Sequence, residues 1–291
     1  MNYLFHILIL IFIYIIISVS LNLISGYAGL ISVAHAAFYG IGAYVVALLA
    51  LNIGSGFIVN MICGMLLAGI LGAIIAIPSL RIHDDYFVIA TFGFQIIVFS
   101  ILNNWVTLTK GPLGIPGIPQ PIILGISISS HVQFLIFTGF FALLTFLFAR
   151  RLVNSPFGRV LKAIREDEIF AEALGKNVTK YKILVFVIGA SMAAVAGSLY
   201  AWYITFIDPT SFTVQESIFM LSIVIIGGTG NLWGSVLGAA LLITIPEALR
   251  FLGMPSAIAA NTRQILYGTL LVIFMLYRPQ GLLGEFAFRR K

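Results

Sequence analysis

The sequence predicts an all-α, polytopic transmembrane helical bundle, and three observations carry that reading. Of its 291 residues 60% are hydrophobic and 9% charged, with a mean hydropathy of +1.10; a soluble globule carries about 25% charged residues because its surface faces water. The apolar residues gather into stretches of roughly 20, the length that crosses about 30 Å of hydrocarbon. The basic residues collect at the ends of those stretches and in one cluster, as the positive-inside rule describes.

Such stretches run near 3–23, 28–50, 57–77, 86–106, 132–150, 183–206, 216–228, 235–251 and 263–277. The seventh and ninth are short and the second is rich in glycine, so eight to ten spanning helices are expected, with nine favoured. No linker composition interrupts them, and residues 1–291 read as a single transmembrane domain. The first segment lacks a basic leader and a small-residue cleavage site, so it reads as a retained helix.

In the second segment Ser32, His35 and Tyr39 stand at i, i+3 and i+7, one face of a helix. Its beginning at Gly26 and Gly29 favours unwinding, which would expose backbone groups to a solute at a central site. The competing reading is that Ser32 and His35 bond across a helix interface and fix packing. Thr91 and Gln95 share a face of the fourth segment and join the same candidate pathway. Gly64, Ala68, Gly72 and Ala76 recur every four residues, as do Gly189, Ala193, Gly197 and Ala201, with Gly234 and Gly238 a further pair; such stripes let helix backbones approach in lipid. The lone cysteine, Cys63, reads as a small hydrophobe.

Residues 107–131 are dense in Gly and Pro and are expected to cap the outer face without a sustained helix. Gly227–Asn231 interrupt the late helices, either as a tight turn or as an inner gate made by Gly228, Thr229 and Asn231. Glu216 is explained by acid placement at a helix N-terminus. Glu247 stands three residues before Arg250 and reads as its structural partner, and His83-Asp84-Asp85 as a solvated inner turn.

Eight of the sixteen lysines and arginines lie between Arg150 and Lys182, which assigns that segment to the cytoplasm. Arg278, Arg289, Arg290 and Lys291 put the C-terminal end on the same side. Arg81 ends the third segment there too, leaving 107–131 outside with Lys110. Nine crossings then place the N-terminus outside.

The most informative stretch is the cytoplasmic loop 153–182. Ser155 suits an N-cap, Pro156 the first helical position, and Gly175 the left-handed residue after the end. Phe157, Leu161 and Ile164 fall on one face at i, i+4 and i+7, while Arg159, Lys162, Arg165 and Glu166 point elsewhere. Thr179 is expected to cap the next spanning helix. Glu166, Asp167, Glu168 and Glu172 would be repelled by an anionic leaflet, which favours docking to a cytoplasmic protein over a helix resting on lipid.

Several classes are disfavoured. The net charge of +6 is scattered along segment ends, a pattern that does not suit nucleic acid. No GxxxxGK[ST] loop occurs, so ATP hydrolysis by the common route is not expected. His6, His35, His83 and His131 are far apart and no HExxH occurs, so no metal site is expected. Ser32 and His35 lack a nucleophile-elbow context, and no catalytic residue is proposed. A stand-alone channel or secondary carrier would need no ATPase and remains the rival class.

The run Ser155–Tyr181 resembles the cytoplasmic loop of permeases in the branched-chain amino acid ABC importers, of the LivM type. Gly26–Tyr44, GYAGLISVAHAAFYGIGAY, is similar to that family's N-terminal signature. Thr109–Pro119, Ile226–Ala239 and Pro279–Leu283 resemble its central, late and final motifs, in order. The general importer loop pattern is present only as Ala171-Glu172-Ala173-Leu174-Gly175. The resemblance implies a prokaryotic plasma-membrane importer with a second, LivH-like permease, two cytoplasmic ATPases that hydrolyse ATP, and an extracytoplasmic substrate-binding protein. No cofactor is implied for this chain. It implies branched-chain or other hydrophobic amino acids as substrate, with urea or amides carried by related permeases. ATPase coupling would fall on Phe157, Gly158, Arg159, Leu161, Ile164, Arg165, Glu166, Glu168, Glu172 and Gly175.

Overall fold

Backbone amides in hydrocarbon have no water to bond, so each apolar segment satisfies them internally, as a helix does. That is why even the isoleucine-rich N-terminal run is helical. The computed structural model describes residues 2–80, 84–123, 126–250, 267–274, 276–278 and 280–284. Arg81, His83, Pro279, Arg289, Arg290 and Lys291 lie outside the described residues, as do the side chains of Asp84, Asp85, Glu247 and Arg250.

Helix α1 (Asn2–Asn22) passes into a π-helical turn, Leu23–Tyr27, and residues 28–34 are not helical. Then come α2 (His35–Asn52), α3 (Phe57–Ser79), α4 (Asp84–Asn104) and the single turn α5 (Val106–Thr109). Three two-residue strands follow, β1 (Ile115–Pro116), β2 (Ile122–Ile123) and β3 (Ile126–Ser127). Next are α6 (His131–Asn154), α7 (Pro156–Glu166), α8 (Glu168–Ala173), α9 (Val178–Ile204), β4 (Phe206–Ile207), α10 (Val214–Gly227) and α11 (Leu232–Arg250). Residues 267–274 are again helical.

Among the described residues six helices are long and apolar enough to cross a membrane, and Val214–Gly227 and Leu232–Ile245 are shorter apolar helices. With the stretch from 267 they occupy the nine expected segments. The main departure is the second, which begins at His35 rather than at residue 28. Ser32 therefore lies outside the helix and shares no helical face with His35 and Tyr39.

Helices α1, α2 and α9 are mostly buried, whereas α3, α4 and α6 each leave a broad apolar face exposed. The small-residue stripes explain the difference. A Cβ on Gly42 of α2 would meet the Ala194 carbonyl oxygen of α9 at 2.2 Å, and one on Gly197 the Tyr39 oxygen at 1.9 Å. Gly72 of α3 packs on Ala190, and Gly238 of α11 on the Ile223 carbonyl of α10. The Gly72, Gly197 and Gly238 contacts belong to the expected seams and the Gly42–Ala194 contact adds to them, with α9 serving α1, α2 and α3 at once.

A capping box starts α6, the Ser130 hydroxyl accepting from Gln133 N while Gln133 Oε1 accepts from Ser130 N. The Gly/Pro segment before it is held by β1, which pairs antiparallel with β4 (Ile115↔Ile207), so this segment covers the end of the bundle where α9 stops. Helix α9 starts on Asn177, whose Oδ1 accepts from Lys180 N at 3.0 Å. Asn177, not Thr179, is the cap.

Candidate coupling surface and central polar junction

Ser155 ends α6 and caps α7, accepting from Gly158 N at 3.4 Å, with Pro156 at the first position as its fixed φ favours. A Cβ on Gly158 would meet the Val153 carbonyl at 2.1 Å, so the glycine lets α7 fold back tightly on α6. The expected single helix is two: Asp167 leaves the helical conformation and caps α8, accepting from Phe170 N at 3.0 Å. Gly175, at φ +75°, follows α8 in the left-handed conformation.

The apolar stripe of α7 is consumed inside the chain. Leu161 and Ile164 are fully buried, and the Phe157 ring stacks on Tyr181 at 5.3 Å. Leu161 and Ile164 are thus covered by the bundle, where burying each is worth roughly 2 kcal/mol more than leaving it exposed, while Phe157 stays half-buried. What α7–α8 leave exposed is Ile169, Phe170 and Leu174, at 81%, 61% and 60%. Arg159, Glu166, Glu172 and Gly175 of the same segment are exposed too. Sequence reasoning passed over the three apolar residues. The signal was present: after the Asp167 cap, Ala171 marks the inward face of so short a helix.

Charges tie the pair to the bundle. Arg165 Nη1 donates to the Gly26 carbonyl at 2.7 Å and Nη2 to Glu166 Oε1 at 3.0 Å. Lys182 of α9 forms an ion pair with Glu168. Lys162 Nζ lies 5.5 Å from the centre of the Tyr27 ring. The helix pair therefore grips the point where α1 stops being helical.

That point opens a polar junction in an otherwise apolar core. The unwound residues and the first turn of α2 need partners for their amides. Val33 N donates to Thr91 Oγ1 at 3.3 Å, Ala34 N to Ser32 Oγ at 3.3 Å, Ala36 N to Ser217 Oγ at 2.9 Å and Ala37 N to Gln95 Oε1 at 2.7 Å. Gln95 Nε2 donates to the Phe212 carbonyl at 2.8 Å, and the Ser217 hydroxyl to Gln95 Oε1 at 3.2 Å. His35 Nε2 lies 2.7 Å from Ser20 Oγ. Ser32, His35, Thr91 and Gln95 are all buried, and Tyr39 packs its ring on Tyr200 and Phe212 at 5.4 and 5.2 Å. All five candidate pathway residues border this junction. In this conformation, though, these amides are taken by side chains and not open to a solute. The buried His35 Nδ1 and Tyr44 hydroxyl have no partner.

The glycine turn after α10 joins the same end of the bundle. Gly230 N donates to Asn22 Oδ1 at 2.9 Å, while Asn22 Nδ2 donates to the Asn231 carbonyl and Ser235 Oγ at 2.8 and 2.7 Å. Asn231 Oδ1 accepts from Trp233 N at 2.9 Å and so caps α11. Gly228, at φ +123°, lets the chain turn, and Leu282 N and Leu283 N bond the Ile226 and Gly227 carbonyls. Thr229 is buried. Asn22 organises this turn and was missed by sequence reasoning, as was the hydrogen bond from Tyr14 of α1 to Glu216 of α10. Glu216 thus has a side-chain partner beyond its place at a helix start. Among the described residues no group of three or more His, Cys, Asp or Glu could hold a metal.

Six membrane-length helices, a broken central helix and a charged helix pair strapped to the break define a multi-pass helical membrane protein. The family described as "Branched-chain amino acid transport system / permease component" matches residues 3–275, and the chain belongs to it. It is 35% identical over 288 residues to the high-affinity branched-chain amino acid transport system permease protein LivM of Salmonella typhimurium, covering 91% of this chain and 66% of that protein. The chain thus spans a little under two thirds of that relative's length. It is 31% identical to the probable branched-chain amino acid transport permease protein LivM of Methanocaldococcus jannaschii, of which it covers 89%, and 27% identical to the permease protein LivH of Escherichia coli, of which it covers 90%. No solved structure matches.

Proposed function

We propose that this chain is the membrane-spanning permease subunit of an ATP-driven importer for branched-chain amino acids. The family match across residues 3–275 is the observation that carries this reading. Its partners are a second, LivH-like permease, two cytoplasmic ATPases that hydrolyse the ATP, and an extracytoplasmic binding protein, in a prokaryotic plasma membrane. The α7–α8 end faces the cytoplasm, where the basic cluster belongs, and the segment covering the α9 end faces outward.

The ATPase docks on Ile169, Phe170 and Leu174, flanked by Arg159, Glu166 and Glu172. Force applied there reaches the spanning helices through two ties, Arg165 to Gly26 and Glu168 to Lys182. Both act on α1 and α9, which border the polar junction. Movement of α2, carried with the end of α1, away from α4 and α10 would release the Gln95 and Ser217 bonds and expose the N-terminal amides of α2, whose partial positive charge suits a carboxylate. The unpartnered His35 Nδ1 adds a polar atom to the same place.

The test is uptake by the reconstituted complex, with labelled leucine, isoleucine, valine and urea. ATP-dependent accumulation of the branched-chain amino acids is expected. Uptake of urea alone would replace the substrate class, and uptake by this chain without an ATPase would overturn the importer reading.

A further inference from the structure

Two cavities meet at the α7 end of α6 and share Arg150 and Asn154. The deeper, about 170 Å³, lies between Tyr27, Lys162, Asn231 and Trp233. The shallower, about 500 Å³, adds Arg151 and Leu147. Three cations thus line two adjoining cavities, and among the described residues no carboxylate lines either. The neighbouring acids are occupied elsewhere: Glu166 with Arg165, Glu168 with Lys182, and Asp167 as the cap of α8.

The surroundings say what the space admits. Arg150 and Arg151 end the apolar run of α6, so the cavity lies at the membrane boundary. Exposed Leu143, Leu144 and Leu147 continue from it along α6 into the apolar zone. Trp233, more than half exposed, packs beside it at a tilt against Phe146, ring centres 4.9 Å apart, and tryptophan favours the headgroup level of a bilayer. Lys162 is held over the Tyr27 ring and is thereby aimed without being neutralised. The exposed apolar residues of α8 line neither cavity.

We propose that this space binds the phosphate headgroup of an anionic phospholipid, its acyl chains lying along the exposed leucines of α6. Basic pockets between spanning helices recognise such headgroups by charge, and an apolar slope next to the cations favours a lipid over a soluble anion or a protein side chain. Because the lipid touches Tyr27 and Asn231, it bridges the end of α1, the start of α11 and α7. The proposal rests on the membrane reading and not on the transported substrate.

The test uses the full chain in the complex with which it purifies, held in phosphatidylcholine nanodiscs. Native mass spectrometry and the thermal unfolding midpoint are followed as phosphatidylglycerol, further phosphatidylcholine or inorganic phosphate is added. Phosphatidylglycerol alone should be retained and raise the midpoint. The double variant Arg150→Gln/Lys162→Gln should bind it about 25-fold more weakly, about fivefold for each charge. The charge-preserving Arg150→Lys/Lys162→Arg should retain binding, which separates lost charge from a misfolded chain. Equal effects of phosphatidylcholine, or of inorganic phosphate, would overturn the proposal. So would a double variant that loses a protein partner while holding phosphatidylglycerol unchanged.

Discussion

Gln95 shows how one buried side chain can hold a broken helix together. Its amide accepts from Ala37 N and Ser217 and donates to the Phe212 carbonyl, residues of α2, α10 and the stretch after β4. Gln95→Leu is isosteric enough to fit but leaves a buried N–H and C=O unpaired, at about 1–3 kcal/mol each. A clear fall in the detergent-solubilised thermal midpoint is expected, against a smaller one for Thr91→Val, which loses one long bond from Val33 N and a hydroxyl bond within its own helix to the Val88 carbonyl. Arg165 is a separate case, because its bond to Gly26 crosses from α7 to the end of α1. Arg165→Gln should reduce transport at least about tenfold while ATPase copurification persists; loss of both together would mean that the residue docks the ATPase instead. Polar residues at membrane depth were legible in the sequence as candidates. Their roles were not, since Gln95 and its partners stand 58 to 122 positions apart.

The α7–α8 pair carries the contrast between residues that hold an element and residues it offers. Leu161→Asp places a carboxylate in the bundle and should abolish folded, detergent-stable protein. Ile169→Asp with Phe170→Asp alters exposed positions, so the chain should fold normally and lose its ATPase in pulldown. Retained pulldown in the latter would remove α8 from the docking surface. Capping gives a smaller, sharper check. Asn177→Ala should cost about 1 kcal/mol of stability at the start of α9, and Thr179→Ala well under half of that, measured by hydrogen exchange of Tyr181 and Lys182. The Ser155, Pro156 and Gly175 punctuation was readable because caps are local chemistry. Which side of α7 faces inward was not, because an apolar stripe looks the same whether it packs on its own bundle or on another protein.

At the scale of the whole chain the exposed apolar faces of α3, α4 and α6 and the buried α1, α2 and α9 sort the helices into rim and centre. Orientation is checked by labelling single cysteines, placed for Lys110, Arg159 or Lys176 in a Cys63→Ser background, in intact cells. The cysteine at 110 should react with an impermeant maleimide, and those at 159 and 176 only after permeabilisation; the reverse pattern would invert the protein and detach the ATPase from α8. By itself the sequence determined the helical class, the segments, the small-residue seams and the family, because membrane length, charge placement and capping are written in neighbouring residues. The tertiary structure alone decided that the second segment starts at His35, that Asn22, Gln95 and Ser217 satisfy the amides freed there, and that α7 spends its apolar stripe on its own bundle. Those outcomes depend on which distant group reaches an unpaired amide or an uncovered side chain first, and no local pattern encodes that.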